Sequence, residues 1–447
     1  MKLFLPFLSG FLFITALSPV SAQTPQDIQK IETLTNQAYP QLDALYKHLH
    51  QNPELSLQEQ KTAARLASEL KTLGFEVKEH IGGHGLVGIL RNGPGPTVLI
   101  RADMDALPLE EKTGLPYASK ARGVNAAGNE VNVMHACGHD IHMTVFVGTA
   151  RALVGLKDRW KGTLVLVGQP AEENGLGADR MLKDGLFDYA PVPDYAIALH
   201  DNSYLPAGTI GYRDGAMMAS VDMMDITVFG QGGHGAAPHT TIDPIVLSAQ
   251  MVMAFQTIVS RTISPIEPAV VTVGSFHGGT VHNIIPDEVK MQLTLRSYSP
   301  EVRQKTIETI GRISENLARA AGLPADKLPV ISIREPMTPA TVNDPALTKR
   351  LVGLFRSTFG EDKLVETEPY MVGEDFSRFA LENRRVPIFM FWLGTLSPAT
   401  IQEAKAKGTQ LPSLHSPLFA PVPEPTIKTG VKAMSVAALH LFDKQAN

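Results

Sequence analysis

The sequence predicts an α/β fold in which one layered domain is interrupted by a smaller inserted unit, and three observations predict it. Between Thr97 and His200 the chain alternates strand, acid, helix, strand, acid, strand, histidine, the rhythm of an open α/β layer with polar residues at its strand ends. Around Gly215 the texture changes to four short strands and two helices, a unit of about 115 residues and large enough for its own core. The length of 447 residues suits two or three such units at about 100–200 residues each.

Met1–Ala22 stands apart from the fold. Lys2 precedes an apolar run from Leu3 to Leu17, and Pro19 then leads to the small-residue ending Val20-Ser21-Ala22. This is the layout of a secretory leader, with cleavage expected after Ala22. The run is short of the roughly 20 residues that a spanning helix needs. No cysteine follows it for a lipid anchor, and no later segment is apolar for long enough to span. The mature protein is therefore expected outside the cytoplasm, periplasmic or secreted, and free of the membrane.

Asp27–His50 and Ser56–Leu73 read as amphipathic helices, the second with Leu66, Leu70 and Leu73 on one face. Strands are expected over Phe75–His80, Leu86–Arg91 and Thr97–Arg101, the last running on into Asp103 and Asp105. A helix follows from His139 to about Leu156. The strand TLVLVGQP then ends in Ala171-Glu172-Glu173, and DYAIALH ends at His200. In the inserted unit, strands Asp222–Gly230, Ala269–Phe276, Val289–Arg296 and Leu328–Arg334 accompany helices Pro244–Arg261 and Glu301–Ala321. The proline-rich EPMTPATVNDP returns the chain to the first domain. That domain then gains helices, the apolar strand VPIFMFWLG and a loop carrying His415. The expected division is a leader over 1–22, the layered domain over 23–215 and 336–447, and the insert over 216–335.

Composition removes several classes of function. Hydrophobic residues at 44% and charged residues at 19% exclude disorder, collagen and coiled coil. A net charge of −5 offers no basic field to a phosphate backbone, so nucleic acid is not an expected partner. The single cysteine, Cys137, cannot form an internal disulfide and is left with packing, reactivity or ligation. Gly83-His84-Gly85-Leu86-Val87-Gly88 has dinucleotide-fingerprint spacing. However, the strand-like VGIL and then NGPGP follow it, not a helix, so a hairpin turn is expected. The chain has no G-x-S-x-G elbow, which disfavours a serine hydrolase.

The densest chemical signal is MHACGHDIH, with Cys137, His139 and Asp140 between a loop and a helix start. Thiolate and imidazole both ligate divalent transition metals. A buried cysteine beside a capping His-Asp pair is the alternative. Glu172-Glu173 closes a strand, where adjacent carboxylates point in opposite directions. One could then bind an ion while the other faces a substrate, a solvated acidic turn being the alternative. His200 ends a further strand, and His415 lies in PSLHSPLF.

Together with RADMDALPLEEKTGLPYAS, QPAEENGLGA, LHDNSYLPAGTIGYRDGAMMAS, GQGGHGAAPH, HNIIPDEV, GEDFSRF and LHSPLF, these residues make the chain resemble the M20 metallopeptidases. The branch is the aminoacylase/amidohydrolase one, with hippurate hydrolases and auxin–amino acid conjugate hydrolases, and the resemblance runs from about Tyr46 onward. It implies an α/β catalytic domain with a central mixed sheet and an inserted ferredoxin-like α+β lid that forms a homodimer. It also implies two divalent ions, zinc, manganese, cobalt or nickel, bridged by Cys137. One ion would be completed by Glu173 and His415, the other by His139 and His200. Glu172 matches the general base that takes a proton from a metal-bound water attacking an amide carbonyl. Asp103 and Asp105 are candidates for orienting the ligands, a capped strand end being the alternative. His234 in GQGGHGAAPH matches the histidine that polarises the scissile carbonyl, often in the partner subunit's site. Asn283 and Arg296 match positions that hold the substrate carboxylate, with His239 as a further contact.

The implied activity is hydrolysis of N-acyl amino acids, acetyl, aroyl or similar, to a free amino acid and a carboxylate. A carboxypeptidase or dipeptidase acting on short peptides would use the same water attack. N-acetyl-diaminopimelate deacetylation fits poorly with an exported enzyme. A non-catalytic metal- or peptide-binding protein is disfavoured by the intact Glu172 and the full ligand set. Two residues depart from the family pattern: Val372, where glycine or serine is expected, and Ile141, where a smaller residue is usual. Met217, Met218 and Met371 could line an adaptable pocket, with core packing as the alternative.

Overall fold

The structure, a computed structural model, describes residues 24–443; the leader read over 1–22 lies outside them. Among the described residues the centre is an eight-stranded mixed sheet. Its spatial order is Glu76–Ile81, Gly85–Arg91, Thr163–Gln169, Thr97–Asp103, Tyr195–Pro206, Ile388–Leu396, Ile210–Tyr212 and Leu364–Glu366. Thr97–Asp103 runs parallel to both neighbours, and Ile388–Leu396 runs parallel to Tyr195–Pro206. Parallel strands are covered on both faces and read as continuous apolar runs. TVLIRAD and IFMFWLGTL are buried along their whole length.

Alternate residues of these strands feed two cores. Val98, Ile100, Leu166 and Ile197 pack among residues of the helices Pro25–Gln51, His139–Val154 and Pro423–Phe442. Leu99, Val165, Val167 and Ala196 pack on the other face with Met181, Phe376 and Phe379. The glycine-spaced motif forms the expected hairpin turn, with Ile81 facing Gly85 across it.

Two elements differ from expectation. The second helix begins at Gln60, not Ser56. Leu57 takes a left-handed φ of 68°, which ends any helical path through it. The Glu54 carboxylate then caps the true start, accepting from the Thr62 amide at 2.8 Å and its hydroxyl at 2.9 Å. The strand expected to end at His200 continues to Pro206, pairing Asp201 with Leu393 and Asn202 with Gly394. Polar residues normally mark a strand end. Here the main chain is satisfied by side chains of other elements: the Asp201 amide donates to His142 and the Asn202 carbonyl accepts from the Thr395 hydroxyl, while the buried Asp201 carboxylate has no hydrogen-bond partner among the described residues.

The insert joins the layered domain through Gly215–Met218, which pairs antiparallel with Thr341–Asn343. It consists of strand Ser220–Phe229, helix Pro244–Thr257, strands Ala269–Gly278 and Glu288–Ser297, helix Pro300–Ala320 and strand Val330–Ile333. The sheet is antiparallel, with Glu288–Ser297 and Ser220–Phe229 at its centre. This β-α-β-β-α-β order is ferredoxin-like. Alternate residues Met224, Ile226 and Val228 pack against Leu247, Met251 and Phe255 of the first helix, leaving Val221, Met223 and Arg296 on the other face. No helix among the described residues is long and apolar enough to cross a membrane.

Candidate functional site

The site lies at the C-terminal ends of the parallel strands, where an open α/β sheet collects functional side chains. Thr97–Asp103 delivers Asp103 and Asp105, Thr163–Gln169 leads to Glu172 and Glu173, and Tyr195–Pro206 carries His200. Cys137 and His139 flank Gly138, which adopts a left-handed φ of 83° at the N-terminus of helix His139–Val154. A side chain at Gly138 would run into the Asp201 carboxylate, so only glycine lets the chain turn here. His415 arrives from a loop after the last sheet strand.

These residues form two donor groups that share one sulfur. The ligand atoms of Cys137, His139 and His200 lie within 4.8 Å of one another, as do those of Cys137, Glu173 and His415. Cys137 Sγ is 3.6 Å from His200 Nε2 and 3.3 Å from His415 Nε2, and His415 Nε2 is 3.3 Å from Glu173 Oε2. His139 Nδ1 contacts the Asp105 carbonyl at 2.8 Å, and His200 Nδ1 contacts the Asp201 carbonyl at 2.9 Å. A carbonyl only accepts, so both protons sit on Nδ1 and both Nε2 lone pairs face the site. His139 Nε2 and Glu173 Oε1 are buried with no hydrogen-bond partner among the described residues. Buried orphan donor atoms of this kind are what a cation satisfies.

The electrostatics ask for positive charge. Burial, then Glu173, Glu172 and Asp103, push the Cys137 thiol well above its ordinary range. Burial, then Glu374, Glu173 and Asp375, push the Glu172 carboxyl up, and burial with Asp105 raises Glu173 to about 7. Burial opposes a charged His139, yet Asp103, Asp105 and Glu173 outweigh it and raise its pKa to about 10, so without a cation a proton takes the Nε2 position that a bound cation would occupy. Burial, with His139 and His200 nearby, lowers His415 to about 4 and keeps it neutral. Soft sulfur and nitrogen donors beside crowded carboxylates fit divalent cations.

Glu172 and Glu173 do not diverge by strand alternation, as an extended segment would require. Ala171 adopts a left-handed φ of 53° and the glutamates sit on a turn. Both carboxylates face His139 Nε2, at 4.0 Å for Glu172 and 3.9 Å for Glu173. The Asp105 carboxylate holds that turn, accepting from the Glu172 amide at 3.1 Å and the Glu173 amide at 3.0 Å. Asp103 accepts from His142 Nδ1 at 2.6 Å, and its other oxygen lies 3.7 Å from His139 Nε2.

Sequence reasoning missed a buried network behind these residues. Arg101 donates to Asp103 at 2.5 Å, Glu374 at 2.7 Å, Asp375 at 3.1 Å and Gln169 at 2.9 Å. Gln169 in turn donates to Asp375 at 2.6 Å. A charged residue inside the apolar run TVLIRAD was the available signal, since a buried arginine must be paired. Its partners lie in GEDFSRF, far away in sequence, and no local pattern joins the two.

A cleft of about 410 Å³ opens beside the donor groups, lined by Cys137, Glu172, Glu173, His200 and His415 together with Arg296 of the insert. Met218, Met371, Val372, Trp392 and Leu414 form its apolar wall. Met217 is not part of it. It lies in the same buried cluster as Met218, its sulfur 3.6 Å from the Asn343 amide, and only Met218 also reaches the cleft. Ile141 is likewise a core residue.

His234, His239 and Asn283 are not among the residues lining this cleft. His234 and Asn283 meet instead on an exposed corner of the insert, where His234 pairs with Ile284 and the Gly235 amide donates to the Asn283 carbonyl at 2.9 Å. His239 is on an exposed turn nearby. His234 Nδ1 accepts from the Ala236 amide at 3.0 Å, so its ring proton is on Nε2.

Comparison with known proteins agrees with this geometry. The model of peptidase family M20/M25/M40 matches residues 99–412. Thermostable carboxypeptidase 2 of Saccharolobus solfataricus is 37% identical over 421 residues, 93% of this chain and 99% of the relative. N-acetyl-L-cysteine deacetylase of Bacillus subtilis is 39% identical over 342 residues, 76% of this chain and 77% of the relative. The crystal structure of Bacillus subtilis YXEP, described as a dinuclear metal binding peptidase from the M20 family, superposes with a TM-score of 0.73. It is 28% identical, and the match covers 93% of this chain and 99% of that one. The protein belongs to peptidase family M20/M25/M40 and is a metal-dependent hydrolase of amide bonds.

Proposed function

We propose that the protein hydrolyses the amide bond of N-acyl amino acids outside the cytoplasm, and that Arg296 selects them by their free carboxylate. Arg296 carries this reading. It lines the same cleft as Cys137, Glu172 and His415, and its guanidinium reaches beside Gly373. Burial lowers its pKa, with Asp222 opposing, and it has no ion-pair partner among the described residues. An arginine fork left open in a cleft suits a bidentate carboxylate. The apolar wall of Met218, Met371, Val372 and Leu414 then faces the acyl group.

The donor groups Cys137/His139/His200 and Cys137/Glu173/His415 would hold two ions, drawn from zinc, manganese, cobalt or nickel. When bound, the ions supply Lewis acidity to the scissile carbonyl and make water ionise near neutral pH. Glu172, whose carboxyl is pushed up and is therefore a stronger base, takes the proton as the water oxygen bonds to the carbonyl carbon. It then delivers that proton to the nitrogen as the C–N bond breaks. Asp105 and Asp103 keep the glutamate turn and His142 in place.

The test is amino acid release by residues 23–447 loaded with manganese, zinc, cobalt or nickel. Substrates are N-acetyl, N-benzoyl and indoleacetyl amino acids and dipeptides, each as the free acid and as the C-terminal amide. Free acids are expected to be preferred, and Arg296→Ala is expected to lower their kcat/KM about 10- to 100-fold, mainly through KM. Equal turnover of acid and amide by the wild type would remove Arg296 from this role. Ranking dipeptides above all acyl amino acids would instead favour the carboxypeptidase reading, which the 37% identity to a carboxypeptidase supports.

His234 is proposed to act in the partner's site of a homodimer, as the donor that polarises the scissile carbonyl, with Asn283 and His239 contributing from the same corner. Support comes from their exposed position and from exposed apolar residues on the same insert, Ile284 paired with His234 and Val246 and Met253 on the helix that follows the His239 turn. His234→Ala and Glu172→Gln should each be inactive alone. Exchanging subunits between the two should recover about a quarter of the wild-type rate, since half the dimers are mixed and each carries one complete site. No recovery in verified mixed dimers would place His234 in its own subunit's site, and wild-type turnover by His234→Ala alone would place it outside the reaction.

A further inference from the structure

We propose that Glu59 is a positioning residue for the hydrolysis, its carboxylate and that of Asp105 together clamping the main chain at Ala171–Glu173. The inference rests on the reading of Glu172 as base and Glu173 as ligand. Glu59 is fully buried, which is unusual for a carboxylate without a cationic partner. It stands at the N-terminal cap of helix Gln60–Thr72, yet its side chain makes no capping bond there. Glu54 performs that task through Thr62. Freed from the cap, Glu59 Oε1 accepts from the Ala171 amide at 2.8 Å and from the Leu57 amide at 2.9 Å.

The target of this reach is specific. Three successive amides, those of Ala171, Glu172 and Glu173, are taken in turn by Glu59, Asp105 and Asp105. Ala171 is a non-glycine residue at φ 53°, a conformation that persists only where the surroundings fix it. Its carbonyl is engaged as well, accepting from the Leu176 amide at 3.2 Å and the Gly177 amide at 3.0 Å. The turn that sends both glutamates toward His139 is thus held on one side by bonds within 171–177. On the other it is held by two carboxylates from distant parts of the chain. Glu59 touches no reacting atom; it acts through Ala171. Its second oxygen, Oε2, has no partner among the described residues and lies in the field of Asp105.

That arrangement separates position from charge. Glu59→Gln keeps an oxygen for the Ala171 and Leu57 amides, Glu59→Asp keeps the charge but withdraws it, and Glu59→Ala removes the acceptor. The experiment measures kcat and KM for the three variants, with Glu172→Gln as blank, and the visible spectrum of each protein loaded with Co(II). Glu59→Gln is expected within about threefold of wild type, and Glu59→Asp and Glu59→Ala about 100-fold down in kcat with KM unchanged. Ala171→Gly added to Glu59→Ala should recover at least about tenfold, because glycine adopts the left-handed turn without the clamp. The Co(II) bands should shift in the Asp and Ala variants and not in Glu59→Gln.

A wild-type kcat in Glu59→Asp, or a loss in Glu59→Gln as large as in Glu59→Asp, would overturn the proposal. If Glu59→Ala does not fold, the Gln and Asp variants decide. If the wild type itself turns over no substrate, the hydrolytic reading fails instead. The clamp is then judged on the Co(II) spectra alone, and unshifted bands in Glu59→Asp would reject it.

Discussion

Glu172→Gln is expected to lower kcat by about 10²- to 10⁴-fold while leaving the fold, the metal content and KM close to wild type. The substitution keeps the size and shape of the side chain. It also leaves untouched both donor groups that contain Cys137, because Glu172 belongs to neither. What it removes is a basic oxygen. Burial and the neighbouring Glu374, Glu173 and Asp375 raise the affinity of Glu172 for a proton, which a surface glutamate would lack. A carboxylate in this environment takes a proton from water readily and still returns it to a leaving amine. The raised pKa also fixes the direction of the pH profile. Activity should fall as pH drops through the folded-state value, because the protonated acid cannot act as a base. Steady-state kinetics with metal content measured on the same samples tests this. Turnover within tenfold of wild type at full metal occupancy would transfer the base role to Glu374 or Asp375, which lie in the same carboxylate group.

The parts of this architecture that were legible in the sequence are those where neighbouring residues state the structure. TVLI and IFMFWLG run without alternation because helices cover both faces of the sheet, and both were readable as strands. The insert was readable because its strands alternate, one face packed on helices and the other open. The ligand types were readable too. The shared role of Cys137, in contrast, came from the family motifs; C-x-H alone left packing and ligation equally open.

What failed did so where a distant residue overrules the local pattern. His200 looked like a strand end because Asp201 and Asn202 follow it, but His142 and Thr395, from other elements, bond their main-chain amide and carbonyl. The Glu172–Glu173 pair looked extended because its strand was, whereas Glu59 and Asp105 hold it in a turn. Arg101 and Glu374 are 273 positions apart and meet in the interior, a pairing that no window of sequence contains.

Cys137→Ala is expected to be the most damaging single change to the metal centre, removing metal from both positions and lowering kcat by more than about 10³-fold. Each of the other four ligands belongs to only one of the two donor groups, while the sulfur belongs to both. Loss of His139 or His415 would weaken one group; loss of the sulfur breaks both at once. It also leaves Glu173, Glu172 and Asp103 crowded together without the bridging thiolate that two cations would draw out of the thiol. Cys137→Asp separates the two contributions of the residue. An aspartate carries a negative charge and two oxygens that can span a pair of ions, but it lacks the softness that holds zinc or nickel. Partial recovery of activity with manganese, and less with zinc, would show that bridging matters more than sulfur. Atomic emission after exhaustive dialysis gives the decisive number, ions retained per chain. Two ions retained by Cys137→Ala at wild-type affinity would mean that the sulfur is a neighbour of the centre and not its bridge. The single cysteine of the chain would then be explained by packing alone.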